Sequence, residues 1–137
     1  MPARIILLFV VLLTGFTSKA QHSRKFDVYG ALHKPDEMAR LDNFAIELQN
    51  EPVATAYIIT YGGSKSTPSV AKTRANFAKN YLVNTRGISG DRIVTMDGGL
   101  QQLPGTELWI VPTGATPPQA SPPVASKSVK VKVKGKK

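Results

Sequence analysis

The stretch that decides the fold is residues 54–63, Ala-Thr-Ala-Tyr-Ile-Ile-Thr-Tyr-Gly-Gly. It is rich in β-branched and aromatic residues, and its apolar side chains stand at both odd and even positions, which is typical of a strand inside a sheet. The two glycines end the strand. Thr67-Pro68 then predicts the start of a helix that runs to about Arg86. Strand followed by helix is the unit from which crossover connections between strands are built.

Further elements on both sides of this unit predict an α/β domain (an α+β sandwich). Residues 26–30 predict a strand, and Pro35, with acidic residues after it, predicts a helix with one buried face. Residues 92–95 and 107–111 predict two more strands, separated by a turn-rich loop at 98–105. The order β-α-β-α-β-β predicts a four-stranded mixed sheet with both helices on one face. We expect the first strand to lie inside this sheet.

Composition narrows the classes of function. The chain has 137 residues and a formal charge of +9, but ten basic and nine acidic residues stand between positions 21 and 126. A fold that binds nucleic acid carries its excess positive charge on the folded part, so we expect no nucleic-acid partner. The absence of cysteine excludes disulfides, thiolate metal sites and cysteine nucleophiles. With two histidines and no constellation of catalytic residues, the sequence predicts neither an enzyme nor a cofactor.

Residues 1–20 have the pattern of a secretory signal peptide. Arg4 precedes an apolar run at 5–13, and the small residues Ser18 and Ala20 follow it. The run is too short for the roughly 18–20 residues that span a bilayer. We therefore expect cleavage after Ala20 and an exported protein, periplasmic or associated with the cell envelope. Export without cysteine is more typical of a bacterial envelope protein than of a small eukaryotic secreted domain.

Residues 21–114 form the predicted folded domain, and residues 115–137 are rich in proline and then in lysine. Such a segment buries too little apolar surface to order itself, so we expect a disordered tail. Two interpretations of its charge remain open: a solvated, solubilising tail, or contact with an anionic surface such as lipid phosphates or wall carboxylates. The lysines concerned are Lys127, Lys130, Lys132, Lys134, Lys136 and Lys137.

One cation lies within the apolar face of the second predicted helix. Burying the Arg74 guanidinium without a partner is costly, so its head must either reach solvent at the edge of the domain or meet an anion. Arg74 also follows closely on the end of the central strand, and ligands of α/β sheets bind at strand ends. Arg74, Tyr61, Gly62 and Gly63 are therefore candidate ligand-binding residues.

Residues 25–111 resemble the OmpA-like family, the peptidoglycan-binding C-terminal domain of outer membrane protein A and its relatives. The resemblance rests on the order and spacing of Phe26-Asp27, Leu32-x-Lys34-Pro35-x-Glu37, Leu41-Asp42, Leu48, Tyr57-Ile58-Ile59-Thr60-Tyr61, Arg74-Ala75, Tyr81-Leu82, Gly87-Ile88 and Arg92-Ile93. It implies a non-enzymatic domain that holds the diaminopimelate of peptidoglycan. In the family, an aspartate after the central strand takes the ligand's ammonium and the arginine of the second helix takes its carboxylate.

The chain departs from the family at the aspartate. Arg74 matches the family's arginine, but Gly63 stands where the family has its aspartate. Asp97 is an alternative source of a carboxylate, unless it serves the turn before Gly98. A phosphate-binding loop at 62–66 is a weaker alternative, because the full glycine-lysine pattern is missing. Two functions remain open: a module that binds peptidoglycan, or a structural or protein-interaction subunit of an envelope assembly.

Overall fold

The computed structural model describes residues 21–122, in which the predicted order β-α-β-α-β-β and the α+β class are confirmed. A 3-10 turn at Gly90–Arg92 precedes the third strand. The elements are β1 (Arg24–Tyr29), α1 (Lys34–Asn50), β2 (Thr55–Gly63), α2 (Ser69–Asn84), β3 (Ile93–Gln101) and β4 (Gly105–Val111). The predicted signal peptide and the six lysines of the tail lie outside the described residues.

The strands form a mixed four-stranded sheet in the order β1-β4-β2-β3. β2 pairs parallel to β3 and antiparallel to β4, and β4 pairs antiparallel to β1. The expectation that β1 lies inside the sheet was wrong, because β1 pairs with β4 alone and forms one edge. The connection through α1 skips one strand position, and β4 fills the gap between β1 and β2. We call the end of the sheet where β1, β2 and β3 finish and β4 begins the upper end.

Both helices pack on one face of the sheet, as predicted. This face takes the alternate residues of β2 and β4 that carry small or branched apolar side chains, and the apolar arcs of α1 and α2 close over them. Burial from water of these side chains is the main source of the domain's stability. The fully buried core includes Leu41, Phe44, Leu48, Ala56, Ile58, Ala78, Leu82, Leu108 and Ile110.

An arginine from another element caps the end of α1. The last turn of α1 holds no basic residue of its own. The Arg92 guanidinium instead donates hydrogen bonds to the carbonyl oxygens of Leu48, Glu51 and Ala54, at 2.8–2.9 Å from its Nη2 atom. The bonds to Leu48 and Glu51 pair carbonyls at the end of the helix and place a positive charge at the negative end of the helix dipole, and the bond to Ala54 ties the following connection to the same guanidinium.

The turn-rich loop predicted at 98–105 is shorter than expected, because β3 continues through both glycines to Gln101. A Cβ atom added at Gly98 would lie 2.2 Å from Cε1 of Tyr61 on the neighbouring strand. Gly99 has a φ of +81°, which side chains rarely tolerate. The glycines thus permit the close approach of Tyr61 and a left-handed backbone conformation within β3, and residues 102–104 form the connection to β4.

The face of the sheet opposite the helices is crossed by the chain after β4. Ile59 and Tyr61 alternate with the helix-facing residues of β2 and so point away from the helices, yet both are buried. Residues 115–122, which we call the strap, contact Tyr61 on this face, and Pro118 within the strap is itself buried.

The strap is held at both ends. At the lower end the Ser23 hydroxyl donates to the carbonyl of Thr116. At the upper end the backbone N–H of Ser121 donates to the Tyr61 hydroxyl at 3.0 Å, and the Gln101 amide donates to the carbonyl of Pro122 at 3.2 Å. The chain therefore stays in contact with the domain for eight residues beyond Gly114.

Candidate functional site

The candidate site lies at the upper end of the sheet. Antiparallel pairing places Tyr61 opposite Gly105 and Tyr29 opposite Thr106, so the end of β2, the end of β1 and the start of β4 meet there. The loop after β2 leads directly into α2, whose second turn carries Arg74. The elements around Arg74 therefore come from three distant parts of the chain: the end of β1, the connection from β2 to α2, and the start of β4.

Arg74 meets neutral acceptors of the protein itself. Its Nη2 atom donates to the carbonyl of Gly30 at 2.9 Å and to the hydroxyl of Thr106 at 3.1 Å. The side chain is half-buried, and its Nε atom is buried without a hydrogen-bond partner among the described residues. The guanidinium therefore ties the end of β1 to the start of β4 and has one buried donor left over.

A buried tyrosine–glutamate pair adjoins this arginine. The Tyr29 hydroxyl donates to Glu37 Oε1 at 3.2 Å, and both residues are buried. Burial, and next the negative charge of Glu37, raise the pKa of Tyr29 above its usual range, while the hydroxyl of Thr106 and the positive charge of Arg74 act in the opposite direction. The upper end thus holds a small polar cluster beneath α1 and α2.

Sequence reasoning missed Tyr29 and Glu37 as members of this cluster. Glu37 stands four residues before Leu41 and seven before Phe44, so it lies on the buried arc of α1. A carboxylate on a buried helical arc is the pattern that could have revealed it, as the same argument did for Arg74.

The space around Gly62 and Gly63 is tight. A Cβ atom at Gly63 would lie 3.0 Å from Cδ of Pro104 and 3.3 Å from Oγ of Ser66, and one at Gly62 would lie 2.9 Å from Cδ2 of Leu100. Ser66 also closes the loop, since its hydroxyl accepts from the N–H of Gly63 at 3.1 Å and its own N–H donates to the carbonyl of Gly63 at 2.8 Å. A longer side chain at either glycine would require its neighbours to move.

The Asp97 side chain bonds within its own strand. Its Oδ1 atom accepts a hydrogen bond from the backbone N–H of Gly99 at 2.8 Å, and the side chain is exposed on the edge strand β3. Across residues 21–122 there is no ion pair between Asp97 and Arg74. Asp97 therefore supplies no carboxylate partner to Arg74 in this structure.

Tyr61 belongs to the opposite face of the sheet. Its ring packs against Gly98 and its hydroxyl accepts from the strap, whereas Arg74 lies on the helix side. Beside Tyr61, the strap and the chain at 101–107 line an open cavity of about 350 Å³. A second cavity of about 410 Å³ lies between the loop at 63–66 and residues 102–104. The predicted site residues thus share the upper end without converging on one point.

The part of the chain that the structure describes contains no group of three or more histidine, aspartate or glutamate side chains placed to hold a metal. Its helices are also too short or too polar to cross a membrane. No protein-family model matches the chain, and no curated protein is significantly similar to it.

Proposed function

We propose that the chain is an exported, non-enzymatic protein of the bacterial cell envelope, in which an OmpA-like fold serves as a structural or protein-interaction subunit of an envelope assembly. The observation that carries this proposal is the crowded position at Gly63, which has no carboxylate. A diaminopimelate ligand needs a carboxylate for its ammonium group, and a Cβ atom at Gly63 would already lie 3.0 Å from Cδ of Pro104 and 3.3 Å from Oγ of Ser66.

The bonding of Arg74 supports the same conclusion. A guanidinium kept for a ligand carboxylate presents its donors to the binding site, whereas Nη2 of Arg74 is engaged with Gly30 and Thr106 and its Nε is enclosed. In this proposal Arg74 is a positioning residue of the fold that joins two strand ends beneath the helices.

Peptidoglycan binding is the second candidate, favoured by a specific observation. Arg74 is half-buried, and both of its side-chain hydrogen bonds among the described residues run from one guanidinium nitrogen, Nη2. A carboxylate that reached Arg74 would form a charge-assisted hydrogen bond. In this alternative the ligand is held by its carboxylate alone and binds weakly.

The lysine tail supplies a contact of a different kind. Lys127 and the five lysines after it would attract lipid phosphates or wall carboxylates, each adding up to about 1 kcal/mol near the surface, and the attraction would fall as salt is raised. The tail would then hold the assembly close to an anionic envelope component.

Calorimetry with a diaminopimelate-containing stem peptide tests the choice between the two functions. We expect no saturable binding by the full chain, and none by Gly63→Asp, because the added side chain would be crowded by Pro104 and Ser66. Saturable binding by the wild-type chain that is lost in Arg74→Met, with far-ultraviolet circular dichroism unchanged, would establish the peptidoglycan-binding function instead. For the assembly itself, we expect the protein extracted from envelopes to migrate as a complex larger than its own 14.8 kDa chain.

A further inference from the structure

The sheet face opposite the helices carries a proline-rich segment of the same chain, the strap. Its eight residues include Pro117, Pro118 and Pro122, and none of them is charged. The strap forms no helix or strand. Proline fixes its own φ and favours extended conformations without internal hydrogen bonds, so the backbone groups of such a segment are open to outside partners.

The sheet holds the upper end of the strap through the strap's backbone. The hydroxyl of Tyr61 accepts a hydrogen bond from the N–H of Ser121. The side-chain amide of Gln101 donates to the carbonyls of Ser121 and Pro122, at 3.4 and 3.2 Å. Pro118 is the one buried residue of the strap. These contacts therefore involve backbone groups and one proline, which another extended proline-rich segment can also supply.

Two further aromatic side chains lie on this face of the sheet. Tyr57 on β2 pairs directly with Trp109 on β4, and strand alternation places both on the same side as Tyr61. Both are half-buried, so part of each remains accessible to a partner. Aromatic-lined surfaces are typical sites for proline-rich peptides, because these peptides are already extended and lose little conformational entropy on binding.

The strap is separate from the hydrogen-bonded sheet. The pairings of β4 with β1 and β2 involve residues 105–111, which precede the strap. Gly114 has a φ of +79°, and the N–H of Ala115 donates to the carbonyl of Pro112, so the chain turns just before the strap. Five of the eight strap residues are exposed, and an open cavity of about 350 Å³ lies between its end and residues 101–107. The strap thus covers only part of this face, and its release breaks no strand pairing.

We propose that this face of the sheet binds a proline-rich, extended segment of a partner protein, and that the strap occupies the same site until such a segment displaces it. The partner segment places a proline at the position of Pro118 and offers backbone groups to Tyr61 and Gln101. The strap supports this choice of partner because it is itself such a segment, seated on the face. The inference rests on the protein-interaction role proposed above and specifies the chemistry of the partner.

The connection to β4 determines the affinity that this site needs. A segment tethered by a short connection has an effective concentration in the millimolar range. A strap that stays seated therefore requires that the same segment, as a free peptide, binds the vacated site with a Kd below about 1 mM. In the wild-type chain the peptide competes with the tethered strap, so its apparent affinity is lower.

Fluorescence anisotropy with a labelled, terminally blocked peptide of residues 115–122 tests the proposal. The full chain carries Pro118→Asp, which puts a charge at a buried position and so releases the strap. We expect saturable binding at least about 10-fold tighter than to the wild-type chain. Added salt should not weaken it, because the peptide is uncharged. A peptide with the same Pro118→Asp change is the matched control and should not bind.

Removal of one hydroxyl identifies where the peptide binds. In the Pro118→Asp chain, Tyr61→Phe keeps the ring beside Gly98 and loses the acceptor for the segment's N–H. We expect binding about 5-fold weaker, the equivalent of one hydrogen bond. Tyr57→Phe is the control and should bind like its parent, because the strap's hydrogen bonds do not involve the Tyr57 hydroxyl.

Circular dichroism shows whether each variant is folded. If Pro118→Asp unfolds the domain, Ser121→Pro takes its place, since it removes the N–H that Tyr61 accepts and adds no charge. A wild-type dimer that forms as concentration rises and is lost in Pro118→Asp would support the same recognition, with the strap of a second copy as the partner segment.

Three results would overturn the proposal: no saturation by about 1 mM peptide in either folded strap variant, equal binding of the two peptides, or equal affinity of the wild-type and strap-released chains. None of these measurements involves Arg74 or the stem peptide. Failure of the proline-rich site is therefore distinguishable from failure of the proposed function, which the stem-peptide titration and the size of the extracted complex test.

Discussion

Replacing Arg74 by methionine should destabilise the domain, because the structure gives this side chain a role in the fold. The variant keeps an apolar stem of similar length and removes the two hydrogen bonds from Nη2 to Gly30 and Thr106. Thr106 is fully buried, so its hydroxyl would lose a donor that water cannot replace.

The expected loss of stability follows from the number of these hydrogen bonds and from their exposure to solvent. A hydrogen bond to a charged group contributes about 1.5–3 kcal/mol, and half-burial of the guanidinium reduces the sum. Removal of a buried Nε that lacks a partner offsets part of the loss. We expect a decrease of about 2 kcal/mol in the free energy of unfolding, which corresponds to about 10 °C in Tm for a domain of this size.

Urea unfolding followed by circular dichroism measures this change. Lys72→Met, on the exposed side of the same helix, is the matched control and should change the free energy of unfolding by less than about 0.5 kcal/mol. If Arg74→Met unfolds at the same urea concentration as Lys72→Met, the structural role assigned to Arg74 is wrong. A stable Arg74→Met variant would also favour the peptidoglycan-binding function, because residues kept for ligands often contribute little to stability.

Three further predictions concern the rest of the molecule. Arg92→Ala should lower the free energy of unfolding by about 2–4 kcal/mol in urea, since the carbonyls of Leu48, Glu51 and Ala54, in and just after the last turn of α1, lose the hydrogen bonds of the guanidinium. A chain ending at Gly114 should have a lower Tm and bind more hydrophobic dye than the full chain, because the strap no longer covers the sheet. Hydrogen bonds from Arg86 and Tyr81 lower the pKa of Asp42 below its usual value of 3.8. The resulting stabilisation is present above that value and is lost as pH falls through the lower folded-state pKa, so Asp42→Asn should weaken the pH dependence of Tm in acid.

Each of these three has a control. Arg40→Ala removes the surface ion pair with Asp27 and should cost less than Arg92→Ala. A chain ending at Pro122 keeps the strap, so equal Tm values for it and the chain ending at Gly114 would refute a stabilising strap. An unchanged acid response in Asp42→Asn would mean that other carboxylates determine acid unfolding.

Several features of the fold follow from local sequence. The apolar arcs of both helices, the β-branched run of β2 and the proline at the start of α1 specify helix or strand through interactions between near neighbours in the chain, and each element formed where expected. The position of Arg74 within an apolar arc likewise indicated that its guanidinium needs a partner, because the arc follows from helical periodicity alone.

The partner itself was decided only by tertiary structure. Gly30 and Thr106 lie 44 and 32 residues from Arg74 in sequence, and they meet it because β4 enters the sheet between β1 and β2. No local pattern specifies that order. The possible pairing partners of a strand are distant in sequence, and each offers it similar backbone hydrogen bonds.

Contacts between residues distant in sequence also explain the role of Gly98 and the path of the strap. By itself, the sequence determined the elements, their order, the near-neutral domain and the lysine-rich end. In the sequence, Gly98 predicts a turn. In the structure it lies against the ring of Tyr61, because β3 pairs with β2. The proline-rich residues after Gly114 form no helix or strand of their own. Residues 115–122 are held by hydrogen bonds to side chains of the sheet, those of Tyr61 and Gln101. Local propensity acts over a few residues, whereas the order of the strands and the covering of the second sheet face by the strap arise from contacts between distant parts of the chain.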